Sequence, residues 1–334
     1  MAIEYTFDDI VQLAVDAYKG VPAANYSVKD SMEVLRKALV EANNNSTKID
    51  IKAIRDGKCT GMFSLVETIL QKTVIEGFQN DEFFMQLVEF KSTALGDEND
   101  FYIEDDSLFF VSEVARGTQG IRRQRFINGE HIRIKTSPKV IKIYDELDRV
   151  LSGKVDLNYF INKVAESFKQ AILGECYNAL SKVVEAGSIY NPTAGTYDAE
   201  ELRTLVNRVE AETGKPATIF GTKSALAKLD IKEIGEEAKS DLYNLGYYGK
   251  FYGTNTAFIR QVYKPGTTDF AFDDKKVYII AGGDRPIKVI NEGEPFVYLG
   301  NPLDNADLSQ EYTYIDRYGV GIAQTGRMAI YSIA

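Results

Sequence analysis

The chain has 334 residues, 44% of them hydrophobic and 26% charged, with 26 glycines and 8 prolines; such a composition folds, and the length exceeds what a single core usually holds. An excess of acidic over basic side chains, 49 against 39, leaves a net charge of −10 and a pI near 4.9, which excludes a protein built mainly to grip nucleic-acid phosphate. Cys59 and Cys176 are too few for a disulfide scaffold or a zinc knuckle and fit a reducing compartment; the acidic start MAIEYTFDDI does not read as a secretory signal, and no stretch approaches the roughly 20 apolar residues of a membrane span.

Taken in chain order, residues 6–18 and 28–42 carry apolar positions at helical spacing, with Ile10, Leu13, Ala14 and Ala17 as the stripe of the first. A polar link at 43–47 leads to a longer helical pattern over 62–79, and this amino-terminal arm is expected to be an appendage. Between 97 and 114 stand seven carboxylates, among them Asp105 and Asp106, and no lysine or arginine. From 115 to 142 the sign reverses, with Arg116, Arg122, Arg123, Arg125, Arg133, Lys135, Lys139 and Lys142 against Glu130 alone. Phe109, Phe110 and Val111 are strand formers on the first side, Ile132 and Ile134 alternate with basic residues on the second, and Gly117 to Gly120 can turn between them. The pattern is a long two-armed β-hairpin whose abutting charge blocks suit contact between copies of the chain.

Residues 156–186 hold the strongest helical stripe, with Phe160, Val164, Phe168 and Ile172 on its buried face, Asp156 able to cap its start and Gly187 its end. At 1.5 Å per residue such a helix spans roughly 46 Å, the length of a spine. A capped helix follows from Asp198 to Gly214, with Glu201 completing a capping box and Leu202, Leu205, Val206 and Val209 buried. Next come a strand at 217–220, a short helix from Thr222, strands near 256–263, 277–281 and 286–290, and a closing strand pair over 311–333 interrupted between Gly319 and Gly326.

Catalytic constellations are missing from the sequence. The single histidine, His131, excludes every motif that needs two and falls on a polar strand face beside Arg133 and Lys135, expected to be solvated. No Gly-Lys pair is followed by the Ser or Thr of a phosphate loop, the glycines at 319–326 open no helix, and Gly282-Gly283 reads as a turn. The carboxylate pairs lack metal-binding spacing, so no catalytic, cofactor or metal residue is expected.

The segments GEHIRIKTSPKVIKIYDELDRVLSGKVD, YYGKFYGTNTAFIRQVY, AGGDRPIKVI and YTYIDRYGVGIAQTGRMAIYSI, in this order after a charged hairpin, resemble the major capsid protein of tailed bacteriophages, the Hong Kong 97-type fold. The resemblance implies an α+β chain with an amino-terminal arm and helices at 1–94, an extended hairpin loop at 95–137, a peripheral domain with the spine helix at 138–190 and 296–334, and an axial domain at 191–295. It further implies a shell subunit that forms hexamers and pentamers around double-stranded DNA without sequence-specific binding. Portal and scaffolding proteins would be its partners, with a decoration protein as a further possibility and no membrane. The loop residues Asp105, Asp106, Arg116, Arg122, Arg123 and Arg125 are the expected intersubunit contacts. An encapsulin-like compartment holding a protein cargo is the alternative within the same fold, and another phage structural protein a more distant one. The first 60 residues fall outside the resemblance.

Overall fold

The computed structural model describes residues 7–19, 28–42, scattered positions from 45 to 73, 82–103, 109–113, 120, 123–125, 129–146, 157–184, 187–193, 195–230, 236–264, 266–299, 309–322 and 328–333. Helices α1 (Phe7–Lys19) and α2 (Val28–Ala42) open the chain and pack on each other. Helix α3 (Glu82–Leu87) runs directly into β1 (Val88–Thr93), and β2 (Asp100–Ile103) and β3 (Glu130–Arg133) form a hairpin that returns into β4 (Ser137–Glu146). Helix α4 (Leu157–Leu180) is followed by α5 (Ala199–Thr213), β5 (Ala217–Gly221), α6 (Lys223–Leu226), α7 (Glu236–Leu245), β6 (Lys250–Phe251), β7 (Thr254–Phe258) and β8 (Lys276–Ala281). The chain finishes with β9 (Ile287–Glu292), β10 (Phe296–Leu299), β11 (Ser309–Ile322) and β12 (Ala329–Ser332).

Two mixed sheets result. The first has the order β1-β9-β11-β10, with β4 on the opposite side of β11; the second runs β12-β8-β5-β7-β6. Among the described strands, only β1 with β9 and β5 with β7 pair in parallel. On α4, Val164, Phe168, Ile172, Cys176 and Leu180 recur every four residues and are all buried, so this face presses on the first sheet. Phe168 meets Tyr314 of β11 edge-on at 4.7 Å, and Tyr177 meets Phe272 at 4.6 Å. In β8, Tyr278 and Ile280 join this core while Val277, Ile279 and Ala281 face α5 and α6, so the second sheet is covered on both faces.

Several sequence expectations hold in detail. Asp198 caps α5, Leu202, Leu205, Val206 and Val209 are buried, and Gly214 closes the helix at φ 65°; Thr222 caps α6, and Gly282-Gly283 is a turn. The Asp198 side chain accepts from the Glu200 N–H, one residue earlier than the capping box requires.

Other expectations are corrected. The spine helix stops at Leu180, where Lys182 and Val183 donate to carbonyls three residues back, and Gly187 instead donates its N–H to the Asn191 carbonyl at 2.7 Å beside a small Ser188–Asn191 bridge. Val164, Phe168 and Ile172 are buried as expected; Phe160 lies within the helix, but its side chain is outside the described residues. The arm is no appendage, because Val11, Ala14, Ala17, Leu35, Leu65 and Ile69 share one core with α4. Most of the 62–79 stripe lies outside the described residues. Phe109–Val111 form no strand, and the strand near 256 ends at Phe258.

The closing segment differs most. β11 runs unbroken through Gly319 and Gly321, and it does not pair with β12. These glycines permit close approach: a Cβ on Gly319 would collide with the Lys135 carbonyl, and one on Gly321 would come within 2.8 Å of Ile134. The strand near 286–290, read as part of the later lobe, belongs to the first sheet as β9, while β12 at the chain's end completes the second.

Candidate functional site: the hairpin root and the open sheet face

Alternation along β9 and β11 gives the first sheet two unlike faces. The inner face, under α4, carries Val289, Asn291, Tyr314, Asp316, Tyr318 and Val320; the outer face carries Lys288, Ile290, Glu292, Ile315, Arg317, Gly319 and Gly321. The hairpin sits on one end of the outer face. Phe101 of β2 and Ile134, just after β3, pack on Ile290. The Phe101 ring is also approached by the ammonium groups of Lys91 and Lys288 at 5.8 and 5.7 Å. Lys288 in turn pairs with Glu89 at 2.5 Å.

A polar network closes the root. The Glu292 carboxylate accepts from the Gly96 N–H at 3.1 Å, from the Asn99 amide at 3.2 Å and from the Thr136 hydroxyl, with Arg317 at 3.9 Å. Thr93 donates to the Asn99 side-chain oxygen at 2.8 Å, which aims the amide nitrogen at Glu292. The Thr136 hydroxyl first, then the Gly96 N–H, hold the Glu292 carboxyl below its ordinary pKa against the effect of burial. Farther along, His131 bonds Asp100 at 2.7 Å and lies beside Tyr102, so the exposed imidazole has a partner that the sequence did not indicate. This contact lowers the Asp100 pKa.

Beyond the root the outer face is open. Register sets Val140 of β4 beside Ile315 of β11 and Phe296 of β10, and Lys142 beside Thr313 and Tyr298. Val140 and Phe296 are about half exposed, and Tyr144 and Tyr298 are 70% and 61% exposed. Where β4 meets α4, a groove of about 420 Å³ is lined by Pro138, Val140, Ile141, Phe168 and Ala171, with the Lys139–Glu175 ion pair at its rim.

Of the sequence-predicted contact residues, Asp105, Asp106, Arg116 and Arg122 lie outside the described residues. Arg123 and Arg125 are exposed and flank Gln124, whose side chain bonds both the N–H and the carbonyl of Phe110, at 2.7 and 2.6 Å. The acidic and basic segments therefore do approach each other within one copy. Phe109, Phe110 and Val111 stand exposed there, Val111 at 89%. Sequence reasoning passed over the meeting of Asn99, Thr136, Glu292 and Arg317, in which Asn99 and Glu292 bond across 193 positions.

Across residues 7–332 the chain matches the model of the family described as "SPbeta prophage-derived putative capsid protein YonB". The chain belongs to this family. No curated protein matches it in sequence. Among solved structures, it is similar to the capsid of a native GTA particle, with 13% identity over 75% of this chain and 89% of that one and a TM-score of 0.50. It is also similar to the mature capsid of bacteriophage PhiM1 (12% identity, 76% and 87% covered, TM-score 0.48) and to the virus-like particle of Pyrococcus furiosus (15%, 79% and 97%, TM-score 0.45). The protein is thus a capsid shell protein of phage type with a mixed helix and sheet fold, and the family is structural. Among the described residues no helix is long and apolar enough to cross a membrane.

Proposed function

We propose that the chain is the major shell subunit of a tailed-phage capsid, assembling in the host cytoplasm into hexamers and pentamers of a closed icosahedral shell around double-stranded DNA. The carrying observation is the open outer face of the first sheet together with the exposed Phe109–Val111 of the hairpin. A sheet face that exposes Val140, Tyr144, Phe296 and Tyr298 and a ribbon segment that exposes Phe109, Phe110 and Val111 are stable in water when another surface covers them, and identical copies provide that surface. The proposed division is an arm in the first 94 residues, an extended loop at 95–137, a peripheral domain of α4 and the first sheet with β9 included, and an axial domain of the second sheet and its helices, from 191 to β8 with β12 added. Within it, Asp105, Asp106, Arg116, Arg122, Arg123 and Arg125 serve as contacts between copies. Portal and scaffolding proteins complete the assembly.

Electron microscopy of the expressed protein tests this reading. Closed shells are expected, and particles from infected or induced cells should contain nuclease-protected DNA. Shells filled with a protein cargo would point to the encapsulin-like function instead, and a monomer under all salt and crowding conditions would end the shell reading. Reversing Arg122, Arg123 and Arg125 to Glu should block shell formation while the subunit keeps its circular dichroism. High salt should act in the same direction, because the Debye length falls from about 8 Å at physiological ionic strength to about 3 Å at 1 M.

A further inference from the structure

We propose that Glu292 is the positioning residue that fixes the hairpin's angle against the first sheet. The hairpin leaves β1 through Gly96 and Asn99 and returns through Thr136, and Glu292 accepts hydrogen bonds from all three. One side chain on β9 therefore ties both roots of the ribbon to the sheet. Among the described residues the other attachments to the sheet are the Phe101–Ile134–Ile290 cluster, the cation–π contacts of Lys91 and Lys288, the Lys91 ammonium on the Asp100 carbonyl at 3.1 Å and the Thr93 hydroxyl on the Asn99 side chain, while the Ile134 N–H to Asn99 carbonyl bond at 2.9 Å lies within the ribbon. A two-stranded ribbon with so small an apolar base does not hold its own orientation in water.

The chemistry of the site calls for a carboxylate. The Gly96 N–H, the Asn99 amide, the Thr136 hydroxyl and the Arg317 guanidinium all present donors, and an ionised carboxylate offers two oxygens and no hydrogen. Glutamine in its place would turn one oxygen into an NH₂ group facing these donors. The close seat at Gly319 and Gly321 lets Ile134 and Lys135 lie flat on β11, so the bonds to Glu292 act on a ribbon already in contact with the sheet.

Hydrogen exchange on the full chain, before assembly, tests the assignment. In Glu292→Gln, amides of 100–103 and 130–134 should exchange about ten-fold faster or more, as expected when bonds to a charged acceptor are lost, while β8 amides keep their protection. Thr136→Val should give part of this acceleration, and Thr136→Ser, which keeps the hydroxyl, should restore the wild-type rates. Unchanged exchange at the root in Glu292→Gln would overturn the assignment. So would equal acceleration in β8, which would make Glu292 a contributor to global stability only. The assignment's bearing on assembly rests on the shell reading above, and the two can fail separately. If the root loosens in Glu292→Gln while normal shells form, the latch stands and the hairpin's intersubunit role falls.

Discussion

Asn291 and Glu292 are adjacent on β9, as are Asp316 and Arg317 on β11, yet each pair divides between the two faces of one sheet. The inner face holds Asp316, 3% exposed, and the outer face holds Glu292, 8% exposed. Both have little accessible surface, but Asp316 lies deep beneath α4 and Glu292 close to the molecular surface, and the two carboxyls shift in opposite directions. Desolvation pushes Asp316 up to about 6, only partly offset by the Arg317 N–H and the Asn291 side chain, whereas Glu292 is held below its ordinary value by three donors and a guanidinium. Depth and the number of donors brought to a carboxylate together set its charge state. The outer face spends polar groups on fixing the hairpin, while the inner face is an apolar bed for α4 with one acid left short of partners.

The largest effect should come from breaking the inner bed. Phe168→Ala removes a buried ring that packs edge-on against Tyr314, and a loss of about 3–5 kcal/mol is expected in urea unfolding of the subunit. A loss below 1 kcal/mol would mean that α4 is not anchored through this face.

Asp316→Asn sharpens the contrast through pH. Asp316 has a higher pKa folded than its ordinary 3.8, so its contribution to stability is fully present below pH 3.8 and lost as pH rises through about 6. The difference corresponds to about 3 kcal/mol on the alkaline side. Glu292 has the opposite sign: its contribution is present above 4.5 and lost as pH falls through its lowered value. Asn291 Oδ1 has no hydrogen-bond partner among the described residues. An asparagine at 316 can still accept from Arg317 and Asn291 and can also donate to that oxygen, without a charge. Unfolding free energies measured at pH 3.5 and pH 8 should show Asp316→Asn raising stability at pH 8, by up to about 3 kcal/mol, with little change at pH 3.5. Equal effects at both pH values would show that Asp316 does not titrate in this range.

The two faces were unequally legible in the sequence. The inner face rests on α4, whose four-residue spacing of Val164, Phe168 and Ile172 is a local signal, and the caps at Asp198 and Thr222 are local as well. The outer face is made by long-range pairing. Glu292 meets Gly96, Asn99 and Thr136 only after β1 aligns with β9, and no spacing of polar residues announces that. Gly319 read as a break in a strand because a glycine that admits a neighbouring backbone looks, in sequence, like one that ends an element. The exchange of β9 and β12 between sheets has the same origin, since strand propensity says nothing about which sheet receives the strand.

Gly174 gives the smallest effect and separates the two sides of α4. It lies mid-helix, where glycine is disfavoured, and a Cβ built there meets nothing within 4 Å. Gly174→Ala should therefore stabilise the isolated subunit by about 0.5–1 kcal/mol, chiefly by restricting the unfolded chain. Chemical denaturation measures this directly. A destabilised subunit would show that the open side of α4 is packed by residues outside the described set. If the subunit is stabilised but shells fail to form, the missing Cβ leaves room for a neighbouring copy, and α4 then has one face committed to the sheet and another to assembly.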